Sequence, residues 1–340
     1  MKHLIIVLVL ILLTTCSTQS DRKSTDDEVT FTEEELAAFF PQPGNLPITR
    51  FPEIWGYVEV GAESALRRGL PITDIAYFSA QVNYYGELAN IPDRKNLPAF
   101  PARVHLVVTC FSYSITYFSI MPGTPQRAKL IRDLIVATRD YDGLNIDFEN
   151  IPQRSGDAFL SFLQELKEGM PNKILSVCLY AKTRTRANDV YDYMKIKPLV
   201  DRIFVMAYDQ HWSGGPAGPV SSISWCKSVA DYCMRVIGKE KLIMGIPFYG
   251  RGWASQNHHR SLIYSTTQRM ITTHNATVTR ENGTPTFSYS PNITVKVYYE
   301  DEYTISARFQ IYKSLGVNAV GFWRIGYETP NVWGTLRIGE

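Results

Sequence analysis

Eight short apolar runs recur along this chain at the spacing of strand–helix units, and that recurrence limits the fold more than any other feature. They lie at 54–60, 74–82, 104–111, 143–149, 174–180, 202–209, 241–250 and 319–326. Each is rich in the β-branched and aromatic residues that suit a strand. Helical patterns separate most of them, among them 125–141, 157–170, 221–237 and 302–315, the last closed by Gly316. Strands that alternate with helices form a parallel sheet covered on both faces. Eight such units predict an α/β fold, a closed (β/α)8 TIM barrel. The competing arrangement is an open doubly wound sheet, which calls for a nucleotide-type glycine loop not found in this sequence.

The fourth run carries the chemistry. In YDGLNIDFEN, residues 141–150, Leu144, Ile146 and Phe148 alternate with Asn145, Asp147 and Glu149. Period two is the strand repeat, so one face is apolar and the other polar and acidic. Helical patterns flank this strand on both sides, so its apolar face packs outward against helices and its acids point into the barrel. Same-face neighbours sit about 6–7 Å apart along a strand. At that distance Asp147 and Glu149 repel, and one of them resists ionisation. A carboxyl that keeps its proton near neutral pH is what protonates a leaving oxygen in glycoside hydrolysis. The competing readings are a solvated edge strand or a cation site, since carboxylates also ligate metals.

Asp142, Gly143, Asp147 and Glu149 resemble the DGxxxDxDxE-type signature on the fourth barrel strand of family 18 glycoside hydrolases, the chitinase family. Further strand ends agree with that family in order. Met206 and Tyr208 share a face at the end of the sixth run, and the resemblance implies that they and Asp209 hold the N-acetyl group of a sugar. The stretch MAYDQHWSGGPAGPV is similar to the spore-cortex-lytic N-acetylglucosaminidases of the family. Tyr249 and Arg251 match a Tyr-x-Arg after the seventh strand, Trp323 matches the sugar-stacking floor on the eighth, and Tyr57 matches a position on the first. The likeness runs from about 54 to 333. It implies Glu149 as proton donor, with Asp147 and Tyr208 as its catalytic partners. Asn145, Met206, Asp209, Tyr249, Arg251, Trp323 and Tyr57 would bind substrate. It also implies hydrolysis of β-1,4 links after N-acetylglucosamine in which the substrate's own acetamide is the nucleophile. No metal or cofactor is called for.

Two positions depart from the family pattern. Asn145 stands where Asp is usual, and a neutral amide can donate to Asp147 but cannot exchange a proton with it. Asn at this position also resembles the cortex-lytic and chitobiase-like branch. At the end of the third strand the chain reads Cys110-Phe111-Ser112-Tyr113 in place of Ser-x-Gly-Gly, which bears on the shape of the non-reducing-end subsites.

The remaining sequence bounds the setting. Lys2 and His3 precede ten apolar residues, 4–13, and then Thr14, Thr15 and Cys16. Ten residues fit the core of a secretory leader and are too few to span a bilayer. Residues 1–16 resemble a lipoprotein-type signal in which Cys16 receives the lipid; cleavage by the ordinary signal peptidase is the competing reading. Residues 17–50 are expected as a flexible tether, because 17–35 are rich in Ser, Thr, Asp and Glu. The barrel is expected over 51–340. A net charge of +2 without a basic run argues against nucleic acid as a partner. Membrane contact is expected through the lipid alone, and the protein as a monomer.

Twenty Tyr and six Trp supply rings of the kind on which the flat faces of sugars rest, though many must be core. The stretch 253–300 fits no barrel unit; with β-like segments at 276–279 and 294–299 and a turn at Asn282-Gly283, it is expected as a small β-rich insertion between strand seven and the last helix. Cys110, Cys178, Cys226 and Cys233 are expected as free, buried thiols. A glycan bearing N-acetylglucosamine, in peptidoglycan or chitin-like oligomers, is the expected partner. The rival function is that of a non-catalytic glycan-binding lipoprotein on the same barrel, and Glu149 is the residue that discriminates between the two.

Overall fold

The structure, a computed structural model, describes residues 32–254, 259–290 and 294–340. The expected leader, with Cys16, and the tether as far as residue 31 lie outside the described residues.

Eight parallel strands close on themselves: β1 (Glu53–Glu59), β2 (Asp74–Val82), β3 (Arg103–Cys110), β4 (Gly143–Phe148), β5 (Ile174–Tyr180), β6 (Arg202–Met206), β7 (Leu242–Pro247) and β8 (Ala319–Trp323). Each pairs with the next in sequence, and β8 pairs with β1 to complete the barrel. All eight sequence runs are therefore strands. Strands β6, β7 and β8 each end three residues short of the expected run, which at β6 leaves Tyr208 and Asp209 in the loop above it.

The two faces of each strand meet different neighbours. Leu144, Ile146 and Phe148 belong to the large outer core between barrel and helices, where Phe148 stacks on Phe162 of helix Gly156–Gly169 at 5.8 Å. The interior is filled by a second cluster of Trp55, Tyr57, Ala76, Val107, Cys178, Phe204, Ile243 and Ala319. Phe204 lies across the axis because β7 and β8 leave room for it. A Cβ at Gly321 would meet the Phe204 ring at 2.4 Å, and one at Gly245 would meet the Val205 carbonyl at 2.6 Å. The Gly-to-Phe complementarity fixes how the barrel packs at this level.

Sequence signals at the helix ends account for where the outer layer starts and stops. Thr124 caps Pro125–Ala137 with its hydroxyl on the Arg127 amide, and Pro125 takes the first turn, where no amide partner is lost. Asp301 and Thr304 form a reciprocal capping box on Glu302–Ser314, and Gly316, at φ 77°, ends it. The units are not uniform. After β1 and β2 the chain makes 3-10 turns, Glu63–Ala65 and Arg94–Asn96, in place of helices. After β3 comes a helix that the sequence reading missed, Tyr113–Ile120, capped by Ser112.

One expectation is corrected. The stretch expected as tether is partly built: Glu33–Phe39 is a helix with a Thr32/Glu35 capping box, and Thr49–Phe51 pairs in parallel with Leu336–Ile338. The insertion between strand seven and the last helix is β-rich, as expected. Its five-stranded antiparallel sheet starts already at Tyr249 and carries helix Tyr264–His274 on one face, over Leu262, Phe287, Val297 and Tyr299. The expected strand at 276–279 begins only at Thr279, whereas 294–299 corresponds to Val295–Tyr298. Asn282 and Gly283, at φ 49° and 79°, make the two-residue hairpin turn expected of that dipeptide. All four described cysteines are free and buried.

Candidate active site

The polar face of β4 points into the barrel, as its period-two pattern requires, and three residues climb it from core to mouth. Asn145 is the lowest and is fully buried. Its Nδ2 donates to Ser176 Oγ at 2.8 Å, and its Oδ1 accepts from the Tyr57 hydroxyl and the Cys178 thiol, each at 3.2 Å. Every polar atom of the amide is thus used within the protein. Asn145 and Tyr57, which is 2% exposed, were expected to bind substrate; both are buried below the mouth, bonded to each other and to Cys178.

Asp147 is 5% exposed, and its Oδ1 is buried with no hydrogen-bond partner. An unsatisfied buried carboxylate oxygen is costly unless something pairs with it or the group keeps its proton. Burial first, and then the charge of Glu149, hold the Asp147 carboxyl well above the usual carboxylate range, with the Cys178 thiol pulling the other way. Glu149 stands just past the end of β4 and is half-buried. Burial raises its carboxyl, a hydrogen bond from Tyr180 opposes that rise, and the charge of Asp209 adds to it. Two acids that each make ionisation of the other harder titrate as a pair. The site therefore retains a proton to give away at a pH where an ordinary carboxyl has lost it.

The loop after β6 supplies the opposite wall. Tyr208 packs on the interior cluster, edge-on to Tyr249 with ring centroids 6.2 Å apart, and burial keeps its phenol protonated far above the usual range. After burial, the neighbouring Cys178 and Tyr249 raise it, and Asp147 and Glu149 add to that rise. Asp209, in the left-handed region at φ 55°, accepts from the Tyr249 hydroxyl at 2.7 Å and from Arg251 at 2.5 Å. Asp209, Tyr249 and Arg251 are therefore one bonded group that ties the insertion sheet to the barrel mouth. Met206 and Trp323 are partly buried over the interior cluster, and the Trp323 ring lies 5.5 Å from Tyr57 and 4.7 Å from Phe78.

Sequence reasoning missed the contribution of β5. Ser176 supports Asn145, Cys178 bridges Asn145 and Tyr57, and the Tyr180 hydroxyl donates to both the backbone oxygen of Glu149, at 2.8 Å, and its Oε2, at 3.1 Å. The signal was present. Ser176, Cys178 and Tyr180 alternate with Leu175, Val177 and Leu179 in the same period that marks β4. Tyr191, also missed, donates its hydroxyl to the Phe148 carbonyl at 2.9 Å and accepts from the Ile151 amide at 3.1 Å, gripping the chain on both sides of Glu149.

The assembled site is a mouth at the C-terminal ends of the strands, with a stacked pair of proton-holding carboxyls on one side, a phenol opposite and an indole at its base. Comparison with known proteins gives the family. Residues 93–328 match the family described as glycosyl hydrolases family 18. The uncharacterized glycosylase YvbX of Bacillus subtilis is 31% identical over 65% of this chain and 68% of its own length. The cortical fragment-lytic enzyme of Bacillus anthracis is 26% identical over 78% of this chain and 67% of its own. In fold, the chain is similar to the crystal structure of the Bacillus cereus spore cortex-lytic enzyme SleL, with a TM-score of 0.76 and 23% identity over 86% of this chain and 76% of that one. The chain belongs to glycosyl hydrolases family 18 and is a glycoside hydrolase.

Proposed function

We propose that the protein cleaves β-1,4 links after N-acetylglucosamine, in peptidoglycan or chitin-like oligomers, with retention of configuration and with the substrate's own acetamide as nucleophile. One observation carries this reading: the two carboxyls, Asp147 and Glu149, come from the same end of a single strand, Asp147 within it and Glu149 just past it. A two-carboxylate retaining mechanism needs its acids about 5–5.5 Å apart across the scissile bond. The other carboxylate that acts on Glu149, Asp209, is engaged by Tyr249 and Arg251. The nucleophile is then best supplied by the sugar. Its acetamido oxygen attacks the anomeric carbon while Glu149 protonates the departing glycosidic oxygen. The unpartnered Oδ1 of Asp147 takes the acetamido N–H and Tyr208 steadies the acetamido oxygen, both favouring the cyclic cation. Water, deprotonated by the Glu149 carboxylate, then opens that intermediate from the face the leaving group vacated.

The relatives with cortex-lytic names favour peptidoglycan over chitin as the natural polymer. The leader read in the sequence, with lipid on Cys16, agrees with an envelope address. The presence of Glu149 favours catalysis over the glycan-binding alternative. Mass analysis of products from purified peptidoglycan and from chitin oligomers tests the reading. The expected products end in a reducing N-acetylglucosamine; fragments ending in N-acetylmuramic acid, or no cleavage of either polymer, would overturn it.

A further inference from the structure

The hydrogen bonds around Glu149 assign a role to a residue outside the family signature. Tyr180 ends β5, and its side chain remains 38% exposed at the barrel mouth. Its hydroxyl has two acceptors, both on Glu149: the backbone oxygen at 2.8 Å and Oε2 at 3.1 Å. The backbone carbonyl can only accept, so the single Tyr180 O–H bonds it and is shared with Oε2 when Glu149 is ionised, while a proton on Oε2 would be donated to the phenol oxygen. Oε2 is thus engaged by Tyr180 in either state, and Oε1 is the oxygen left to carry a proton to a substrate.

This tyrosine is itself held in place. Tyr193 donates to its backbone oxygen at 2.5 Å, and Tyr191 meets its ring edge-on at 5.4 Å while bonding to Phe148 and Ile151 on either side of Glu149. Lys182, 5% exposed, donates to the Tyr191 carbonyl at 2.6 Å and lies 4.0 Å from the Tyr193 ring centroid. Two further tyrosines and a buried lysine thus fix this O–H beside one carboxyl oxygen, the preorganisation expected where charge is about to appear.

We infer that Tyr180 is a positioning residue for proton transfer, orienting Glu149 so that Oε1 faces the glycosidic oxygen and meeting the carboxylate left behind with a donor already in place. The inference rests on the reading of Glu149 as general acid. In the forward step the Oε1–H bond breaks as the proton goes to the leaving oxygen, and Oε2 keeps its bond from Tyr180. In the second step Oε1 takes a proton from the attacking water, which restores the starting state. The titratable groups facing Glu149 are Asp147 on its own strand, Cys178 and Tyr180 on β5, Tyr191 in the following loop, and Tyr208 and Asp209 after β6.

The test compares wild type, Tyr180→Phe and Glu149→Gln on chitotetraose and on 4-nitrophenyl and 2,4-dinitrophenyl chitobiosides, across pH. Tyr180→Phe keeps the ring and removes only the donor. Its kcat on chitotetraose should fall by about tenfold with little change in KM, the size of one hydrogen bond. The loss should shrink for the dinitrophenyl substrate, whose leaving group needs no proton. A donor to the carboxylate favours its ionised form, so its removal should move the basic limb of the kcat/KM profile to higher pH. Replacing Tyr180 by 3-fluorotyrosine, a stronger donor of the same shape, should move that limb to lower pH. A limb that stays put in both variants, or a loss equal for all leaving groups, would overturn the inference while leaving Glu149 as the acid. A Glu149→Gln variant as active as wild type would overturn the general-acid reading and this inference with it.

Discussion

Glu149→Gln separates the proton from everything else Glu149 does. The amide has the same shape, and its oxygen can still accept from Tyr180, whose second bond, to the backbone oxygen of residue 149, does not involve the side chain. What is lost is the transferable proton and the charge that opposes ionisation of Asp147. General acid catalysis is worth about 10² to 10⁴ in rate. At 1.36 kcal/mol per factor of ten, that is roughly 3–5 kcal/mol of transition-state stabilisation. Cleavage of chitotetraose, whose leaving sugar hydroxyl needs the proton, should slow by about that factor. Calorimetric affinity for a chitin oligomer and the melting temperature should hold, because no packing contact changes and one member of a repelling pair becomes neutral. The Asp147 carboxyl should also titrate at lower pH than in the wild type, which carbon-detected NMR of labelled aspartate would register. A folded variant that keeps its rate within a factor of ten would refute the assignment of Glu149 as acid.

Asp147→Asn should reduce turnover while leaving the protein folded, because an amide cannot ionise as the cation forms on the acetamido group; normal turnover would show that the carboxyl is not used. The same variant tests a linkage. Asp147 is raised above its ordinary 3.8 in the folded state, so above that pH the folded protein holds a proton that the unfolded chain has lost. Stability should therefore fall as pH rises from about 4 through the folded-state value. Melting temperatures measured between pH 4 and 8 should show a flatter profile for Asp147→Asn, and an identical slope would contradict the burial argument. A thiazoline analogue of N-acetylglucosamine should compete at the wild-type site, since it copies the cyclic intermediate; inhibition no better than by N-acetylglucosamine would count against that intermediate. Cys16→Ala should release the protein from the membrane fraction or leave its leader uncut, and unchanged detergent partitioning would remove the lipid anchor from the account.

The parts of the fold and site that could be read in the sequence are those set by a local repeat. The alternation of Leu144, Ile146 and Phe148 with Asn145, Asp147 and Glu149 gives the phase of β4 without knowledge of any neighbour. The same logic puts Met206 and Tyr208 on one face. A period-two pattern reports which face a residue takes but not its height in the barrel. It could not show that Asn145 and Tyr57, both expected to bind substrate, are fully buried and bonded to each other. Pairings between distant segments were also hidden: Asp209 finds Arg251 through a hairpin of the insertion, and Tyr180 finds Glu149 across 31 residues. Helix Tyr113–Ile120, YSITYFSI, is rich in aromatic and β-branched residues and lacks a polar face, so its sequence resembles a strand. Helix Tyr264–His274 carries four β-branched threonines and an isoleucine, and it forms because its apolar side covers the insertion sheet. The cis peptide bonds Phe78–Ser79 and Trp323–Arg324 precede no proline and have no sequence signal.

The central claim is that the substrate's acetamide does the work of a second carboxylate. Its most direct test follows the anomeric configuration of the first products by proton NMR during cleavage of chitotetraose, alongside the same oligomer deacetylated at the sugar next to the scissile bond. The account predicts β-configured reducing ends that later mutarotate, and no detectable cleavage next to the deacetylated sugar. Products that appear first in the α form, or equal rates on the acetylated and deacetylated oligomers, would contradict it.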